Sequence, residues 1–224
     1  MRINQKLATL SLALAGSMAA FGAQAQSIDV RVIGTITPPA CVPTLAGGGV
    51  VDYGNIAAST LSQTTTNRLS EHAISFSIRC DAPTRVAVRA VDGRESSRVP
   101  GITTVLGAVF SDDYNFGLGS VSNANVGGYV LRLRQDSFTA DSNSVFTTSS
   151  IDGGTSWRTS ASGGMQHASG RILSWATTNG GVPIAFTNLT GNLSIEAVLN
   201  RGDALPLNAD VPLDGLATLE MVYL

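Results

Sequence analysis

Apolar side chains occupy every second position in the last ten residues of this chain, a spacing that predicts a β-strand. Ala217, Leu219, Met221 and Tyr223 share one face, because successive side chains of a strand point to opposite sides of a sheet. A similar row near the start consists of Ile28, Val30, Val32, Gly34 and Ile36. We expect no later segment to cover the edge of the last strand, whereas a detached early strand could cover that edge in another copy. The two rows therefore predict a subunit of a polymer.

The same alternation recurs along the middle of the chain, where short runs are separated by turn residues. The predicted strands are 27–37, 50–56, 74–80, 85–91, 128–135, 171–177, 182–187, 193–199 and 216–224. Asn179-Gly180-Gly181 predicts a hairpin between two of these strands, and the Ser/Thr/Gly-rich region 136–170 predicts a long exposed loop. No helical stripe follows the first 25 residues. We therefore expect an all-β sandwich in which each strand buries one face.

The first 25 residues have the pattern of an export signal. Arg2 and Lys6 precede an apolar run, and Ala23-Gln24-Ala25 supplies small residues where a signal peptidase cleaves. The run is shorter than the roughly 20 residues that a membrane-spanning helix needs. We expect residues 1–25 to be a cleaved signal peptide, 26–37 an N-terminal extension and 38–224 one β-sandwich domain. The mature chain of 199 of the 224 residues is then exported and does not insert into a membrane.

Charged residues are scarce in this chain. They make up 13% of the sequence, against about 25% in typical globular proteins, and the net charge is −2 with no basic block. Such a balance argues against binding to nucleic acid or to an anionic membrane. It also reduces the repulsion between copies that would oppose their assembly.

The chain contains two cysteines, Cys41 and Cys80, and both lie in the exported part. An isolated pair in an oxidising compartment most simply forms one structural disulfide. Closing a loop of about 40 residues would stabilise the fold by roughly 4 kcal/mol in the chain-entropy model. A redox or metal site would need closer spacing or further ligands.

Catalytic and cofactor sites are not expected. His72 and His167 are the only imidazoles, and neither has a carboxylate and a nucleophile close by in a recognisable arrangement. His72 is expected to be a solvated or half-buried strand residue, and His167 lies in a Gly/Ser-rich stretch. We therefore predict that the protein is not an enzyme and binds no metal or cofactor.

Several of these features together resemble pilus subunits of the chaperone–usher class. They are the export signal, the alternating leader with an interior glycine, the two cysteines and the penultimate Tyr223. Within that class, three segments are similar to subunits of β-fimbriae: Gly34-Thr35-Ile36 with Pro39-Ala40-Cys41-Val42-Pro43, Gly49-Val50-Val51-Asp52-Tyr53-Gly54 and Val91-Asp92-Gly93-Arg94. The resemblance covers most of the mature chain and is strongest before Arg94 and after Leu193.

The resemblance implies a structural subunit of a surface fimbria. Such subunits have an immunoglobulin-like sandwich that lacks its final strand. A periplasmic chaperone fills the gap first, and an outer-membrane usher then exchanges the chaperone strand for the leader of the next subunit. The implied donor row is Ile28, Val30, Val32, Gly34 and Ile36. The implied acceptor and chaperone-binding row is Ala217, Leu219, Met221 and Tyr223, with the carboxylate of Leu224 as an anchor. The implied partners are further pilus subunits, including copies of this chain.

Two other functions fit parts of the sequence. A minor subunit or an adhesin at the fibre tip would bind a host receptor or a glycan, but a tip subunit usually has a separate binding domain in place of the leader. A self-contained secreted β-sandwich, either an enzyme or a small-ligand carrier, would fold alone and remain monomeric.

Overall fold

The computed structural model describes residues 28–36, 39–167 and 170–224. The predicted signal peptide, residues 1–25, lies outside the described residues. The chain divides into two units, Met1–Thr37 and Pro38–Leu224. In the first unit, residues 28–36 form no regular secondary structure and their side chains are exposed. Over the described residues 28–36, the strand predicted at 27–37 is therefore not formed in the isolated chain, because a strand needs a hydrogen-bonded neighbour.

The second unit is built from β-strands and short 3-10 helices, and its described residues contain no α-helix. The strands are β1 (Cys41–Leu45), β2 (Asn67–Arg68), β3 (His72–Thr84), β4 (Val86–Asp92), β5 (Phe116–Gly117), β6 (Ser120–Val121), β7 (Ala124–Asn125), β8 (Gly127–Leu133), β9 (Thr139–Ala140), β10 (Asn143–Ser144), β11 (Phe146–Ser150), β12 (Arg158–Thr159), β13 (Ile172–Ala176), β14 (Phe186–Leu199) and β15 (Ala217–Tyr223). The 3-10 helices are Ala46–Gly49, Ala58–Thr60, Glu95–Ser97, Ile102–Leu106, Asp112–Tyr114, Gln135–Ser137 and Gly202–Ala204.

Two antiparallel sheets account for most of these strands. The first sheet has the order β1-β3-β14-β8-β5, and the short strands β2 and β9 also pair with β14. The second sheet has the order β12-β11-β13-β4-β15. A separate ribbon joins β6 to β7. β1, the first strand of the second unit, forms an edge of the first sheet. β15, its last strand, forms an edge of the second sheet.

The core lies between the two main sheets. Its largest fully buried side chains are aromatic, and Trp175 packs against Phe76, Phe138 and Phe186 with ring centroids 5.3 to 6.2 Å apart. Phe76 comes from the first sheet and Trp175 from the second, so these rings join the two layers. The predicted all-β sandwich is confirmed.

The predicted hairpin at Asn179-Gly180-Gly181 is wrong. The strand before it, β13, belongs to the second sheet, whereas the strand after it, β14, belongs to the first. The predicted strands 182–187 and 193–199 are also not separate, because β14 runs unbroken from Phe186 to Leu199. Gly191 lies inside it beside Phe138, where an added Cβ would come within 2.3 Å of the ring. The turn residues therefore mark a crossing between layers, and the glycine makes room for an aromatic ring.

The prediction of one long exposed loop over 136–170 is wrong as well. This region contributes β11, whose residues Thr147, Thr148, Ser149 and Ser150 are buried. Hydroxyl groups can be buried where they find acceptors, and the Oγ1 of Thr148 donates to the carbonyl oxygen of Arg158 at 3.0 Å. A polar composition did not prevent this region from entering the second sheet.

Residues 99–115 form a second, smaller packing layer that the sequence did not reveal. Phe110 and Tyr114 from this segment bury Val130 of β8, and the two rings meet edge to face at 5.8 Å. No helix in the part of the chain that the structure describes is long and apolar enough to cross a membrane.

Candidate functional site: a cleft between two sheet edges

The edges of the two sheets approach each other where β1 and β15 lie. At one end the gap is bridged by a single hydrogen bond, in which the backbone N–H of Cys41 donates to the Tyr223 hydroxyl at 2.9 Å. β1 pairs with β3 and β15 pairs with β4. Within the described residues no ladder joins β1 to β15. An open cleft therefore separates the two layers on this side of the sandwich.

The core-facing row of β15 is incompletely covered. Ala217, Leu219 and Met221 pack against the hydrophobic core, yet each remains only partly buried. By contrast, Val86 and Val88 of the neighbouring strand are 0% and 1% exposed. The inner row therefore stays half open, and no strand of the described residues covers it on this side.

The backbone of β15 is also open toward the cleft. Gly93 N–H donates to the Leu216 carbonyl oxygen at 2.8 Å, and Leu224 N–H donates to that of Arg85 at 3.1 Å. Because bonded and non-bonded pairs alternate in an antiparallel ladder, the even-numbered residues point their backbone groups at β4. The N–H and C=O groups of Ala217, Leu219, Met221 and Tyr223 therefore point to the outer edge. Three of these residues, Ala217, Leu219 and Met221, also supply the core-facing side chains.

The opposite lip of the cleft is formed by β1 and the segment after it. Cys41 and Leu45 are partly buried, whereas Pro43 between them is exposed. The following residues 50–57 were predicted to form a strand over 50–56, and that prediction is wrong because they join no ladder. Val51, Tyr53 and Ile56 nevertheless pack against the core at alternating or near-alternating positions.

Between the lips lies an apolar cavity of about 210 Å³. Its floor comes from the first sheet, and its walls from the two lips. The lining residues are Leu45, Gly49, Val51, Tyr53, Ile74, Leu118, Tyr129, Leu131, Leu193, Ile195, Ala197, Leu213, Gly215, Leu216, Ala217 and Leu219. Tyr129 is deeply set there, and burial raises the pKa of its phenol. A site with this lining favours aliphatic side chains over polar groups.

An ion pair holds the end of the cavity that lies away from Tyr223. Arg94 reaches Asp214 with Nε and one terminal nitrogen, 2.9 and 3.0 Å from the two carboxylate oxygens. Its Nε also lies 3.2 Å from the Asp214 carbonyl oxygen. The hydrogen-bonded guanidinium lowers the pKa of the Asp214 carboxyl. The pair fixes residues 213–216, which line this end of the cavity, against the end of β4.

The structure places the predicted acceptor residues on one strand, but not in one environment. Ala217 and Leu219 line the cavity, Met221 continues their row, and Tyr223 lies at the bridged end. Leu224 is 44% exposed beyond the end of the ladder. The predicted donor residues Ile28, Val30, Val32, Gly34 and Ile36 belong to the other unit, and the four larger side chains are 84% to 99% exposed.

The predicted disulfide between Cys41 and Cys80 is confirmed. The two residues are direct partners in the ladder between β1 and β3, with Cα atoms 4.0 Å apart. The bridge therefore fastens β1, one lip of the cleft, to the interior strand beside it.

Sequence reasoning missed the residues of the opposite lip. It also missed the ion pair at the end of the cavity that lies away from Tyr223. Val51 and Tyr53 carried a usable signal, because an apolar row without a ladder partner still packs against a core. Arg94 and Asp214 are 120 residues apart, and nothing in the sequence pairs them.

Neither histidine lines the cavity itself, although His72 contacts the lining residue Tyr53. The ring of His72 meets the ring of Tyr53 edge to face at 4.7 Å, and Nε2 of His167 lies 2.7 Å from a terminal nitrogen of Arg98. Across the described ranges, no three His, Cys, Asp or Glu side chains are grouped so that they could hold a metal ion.

Two known proteins are similar in sequence to nearly the whole of this chain. A family model described as "Protein of unknown function (DUF1120)" matches residues 30–130. The chain is similar to "Protein GltF" of Escherichia coli (strain K12), with 28% identity over 254 residues and 100% of each chain covered. It is also similar to "Uncharacterized protein YhcF" of the same organism, with 27% identity over 239 residues, covering 96% of this chain and 99% of that protein. The similarity thus includes both the leader and the cleft.

Proposed function

We propose that this protein is a structural subunit of a surface fimbria and polymerises by strand donation. One observation carries the proposal. β15 presents unpaired backbone groups and half-buried apolar side chains along the same edge, above an apolar cavity. An added strand would complete both the ladder and the core, which is the physical basis of recognition by strand addition.

The leader has the properties that such a strand needs. Its apolar row alternates over 28–36, and its side chains are exposed in the isolated chain. Nine residues of strand span about 30 Å and the seven residues of β15 about 23 Å, so the leader is long enough to cover the whole edge. Each Val or Ile side chain that becomes buried would contribute roughly 1.5–3 kcal/mol.

Donation between copies extends the proposal to assembly. A leader that enters the cleft of a second copy leaves its own cleft for a third, so the contacts are head to tail and build a filament. The proposed partners before assembly are a periplasmic chaperone, whose strand would occupy the cleft, and an outer-membrane usher. The proposed location of the finished fibre is the cell surface.

A peptide-binding experiment tests the proposal. The chain with Val32→Asp in its leader, which stops that leader from filling a cleft, is titrated with a labelled peptide of residues 27–37. We expect saturable binding of the unaltered peptide and a higher Tm of the protein. Absence of both effects would contradict strand donation and favour a self-contained sandwich.

Matched peptides separate insertion from nonspecific adhesion. Val32 and Ile33 are both more than 90% exposed, but they point to opposite faces of an extended leader. The Val32→Asp peptide should lose binding, because a carboxylate would enter the apolar cavity, whereas the Ile33→Asp peptide should keep most of it. Equal losses for the two peptides would show that binding does not depend on the donor row.

A further inference from the structure

We infer that Arg31 of the leader and Glu220 of β15 set the register in which the leader enters the cleft of a second copy. This inference rests on the proposed strand donation and adds what the apolar row cannot supply. Because the row repeats every two residues, a slip by two positions again presents apolar side chains to the cavity. The apolar repeat alone therefore does not fix the register, and a contact on the other face of the strand can specify it.

Glu220 lies on the outward face of β15, between Thr218 and Val222. The Nε of Arg89 on β4 contacts its Oε2 at 2.6 Å, and the Glu220 side chain is 40% exposed. A carboxylate has two oxygens and accepts several hydrogen bonds, so the contact with Arg89 leaves capacity for a second cation. That cation would have to come from the side of Glu220 that faces away from β4, where an added strand would lie.

The leader carries one cation and one anion between residues 28 and 36. Arg31 and Asp29 both lie on the face opposite the apolar row. If the leader pairs antiparallel to β15 with Arg31 opposite Glu220, then Val30 lies opposite Met221, Val32 opposite Leu219 and Gly34 opposite Ala217. The charges Arg89, Glu220 and Arg31 would then alternate across three neighbouring strands.

The ladder geometry favours this contact. The even-numbered residues of β15 direct their backbone groups at β4, so Glu220 forms a non-hydrogen-bonded pair with the added strand. Side chains of such pairs lie closer together than those of hydrogen-bonded pairs. A slip that brings Asp29 opposite Glu220 would place two carboxylates at this short distance, and the opposite slip would leave Glu220 facing Ile33.

Side-chain size supports the antiparallel direction. In that register Ile36 lies opposite Gly215, which lines the cavity next to Leu118 and Tyr129. The bulky end of the leader thus meets a position without a side chain. A parallel strand with the same charge pair would instead place Gly34 opposite Tyr223.

Cysteine cross-linking between two full chains tests the register. One chain carries Ile33→Cys, and the other, with a different tag, carries Thr218→Cys or Val222→Cys. We expect a disulfide-linked dimer with Thr218→Cys, because residues 33 and 218 form the next non-hydrogen-bonded pair in the antiparallel register. Preferential linkage to Val222→Cys would overturn the inference, since residues 33 and 222 meet in a parallel strand.

Charge reversal tests the role of Arg31 itself. We expect the Arg31→Glu leader peptide to bind about three- to tenfold more weakly, and the Asp29→Lys peptide, whose changed residue lies opposite Val222, to change by less than about twofold. Binding of the Arg31→Glu peptide should return on a chain with Arg89→Glu and Glu220→Arg, which inverts the three signs together. Unchanged affinity for Arg31→Glu would overturn the inference while leaving strand donation intact. If the unaltered peptide does not bind the unaltered chain, both the register inference and strand donation are overturned.

Discussion

The core around Trp175 and the core beneath the cleft belong to one sandwich but differ in how completely they are covered. Phe76, Phe138 and Phe186 surround Trp175, and all four rings are 0% to 2% exposed. Beneath the cleft, Leu219 and Met221 remain partly buried beside a cavity of about 210 Å³. The difference follows from the strand order: β13, which carries Trp175, has neighbours on both sides, whereas β15 pairs only with β4 among the strands that the structure describes.

This contrast separates two tasks within one fold. The aromatic cluster uses its apolar area to hold the layers together in the isolated chain, since fully buried side chains contribute most of the hydrophobic stabilisation. In the cleft, part of the apolar surface stays exposed to solvent, and binding of a second molecule would bury it. Substitutions in the two regions should therefore have different costs before and after a strand is added.

The largest effect is expected at Phe76. Replacing this fully buried ring, Phe76→Ala, should lower the free energy of unfolding by about 3–5 kcal/mol, because it removes apolar contacts and leaves a cavity next to Trp175. Chemical denaturation of the full chain measures the change. The leader peptide should not restore the loss, because it would bind in the cavity, whose lining does not include Phe76; full recovery on peptide addition would show that the two regions are not distinct.

A smaller loss is expected at Leu219. Its side chain is only partly buried, so Leu219→Ala should cost about 1–2 kcal/mol in the isolated chain. The cost should grow when the leader peptide is present at saturating concentration, because the wild-type leucine then becomes fully covered. Denaturation with and without peptide measures both values, and an isolated-chain cost equal to that of Phe76→Ala would mean that the cleft is already closed.

A still smaller effect is expected at the bridged end of the cleft. Tyr223→Phe removes the acceptor for the Cys41 N–H and should lower the free energy of unfolding by about 0.5–1.5 kcal/mol. Tyr53→Phe is the matched control, because the Tyr53 hydroxyl lies 3.5 Å from the Ile195 carbonyl oxygen and should matter less. The reverse ranking in denaturation experiments would contradict a bridging role for Tyr223.

The smallest effect concerns acid and the ion pair at the other end of the cleft. Arg94 lowers the pKa of Asp214 in the folded chain, so the stabilisation is present above the unfolded pKa of about 4 and is lost as the pH falls through the lower folded value. Asp214→Asn should therefore be less stable than the wild type at pH 7, and the difference should shrink below about pH 4. Denaturation series across this pH range measure the change, and a constant difference between Asp214→Asn and the wild type would contradict the linkage.

Alternation predicted several strands, but it could not predict their partners or that a second face would also be covered, as at Val130 of β8. The segments 85–91, 128–135 and 216–224 correspond to β4, β8 and β15, because their inner rows face the core directly. The pairing failed at Asn179-Gly180-Gly181, since a reversal of the chain is compatible with staying in one sheet or crossing to the other. Turn chemistry fixes local backbone geometry and leaves that choice to long-range packing.

Polarity misled the prediction where buried hydroxyls are satisfied by the backbone. Thr148 is 0% exposed, and its Oγ1 donates to the Arg158 carbonyl oxygen at 3.0 Å. A hydroxyl with such a partner can be buried at little cost, but the partner belongs to β12, and the polar composition of the region gives no sign of that pairing. The inner row of β15 was visible because it lies within one short segment, whereas its position opposite the lip formed by β1 and residues 50–57 depends on segments far apart in the sequence.

The coincidence of backbone and side-chain openness on β15 limits what can attach there. Residues directly opposite each other in neighbouring strands point their side chains to the same face. Any chain that satisfies the outward backbone groups of Leu219 and Met221 must therefore also insert side chains between the two layers. A strand with charged residues at those positions could form the main-chain hydrogen bonds but would have to bury its charges in the cavity. This cost makes the exposed edge of β15 selective and reduces nonspecific edge-to-edge aggregation.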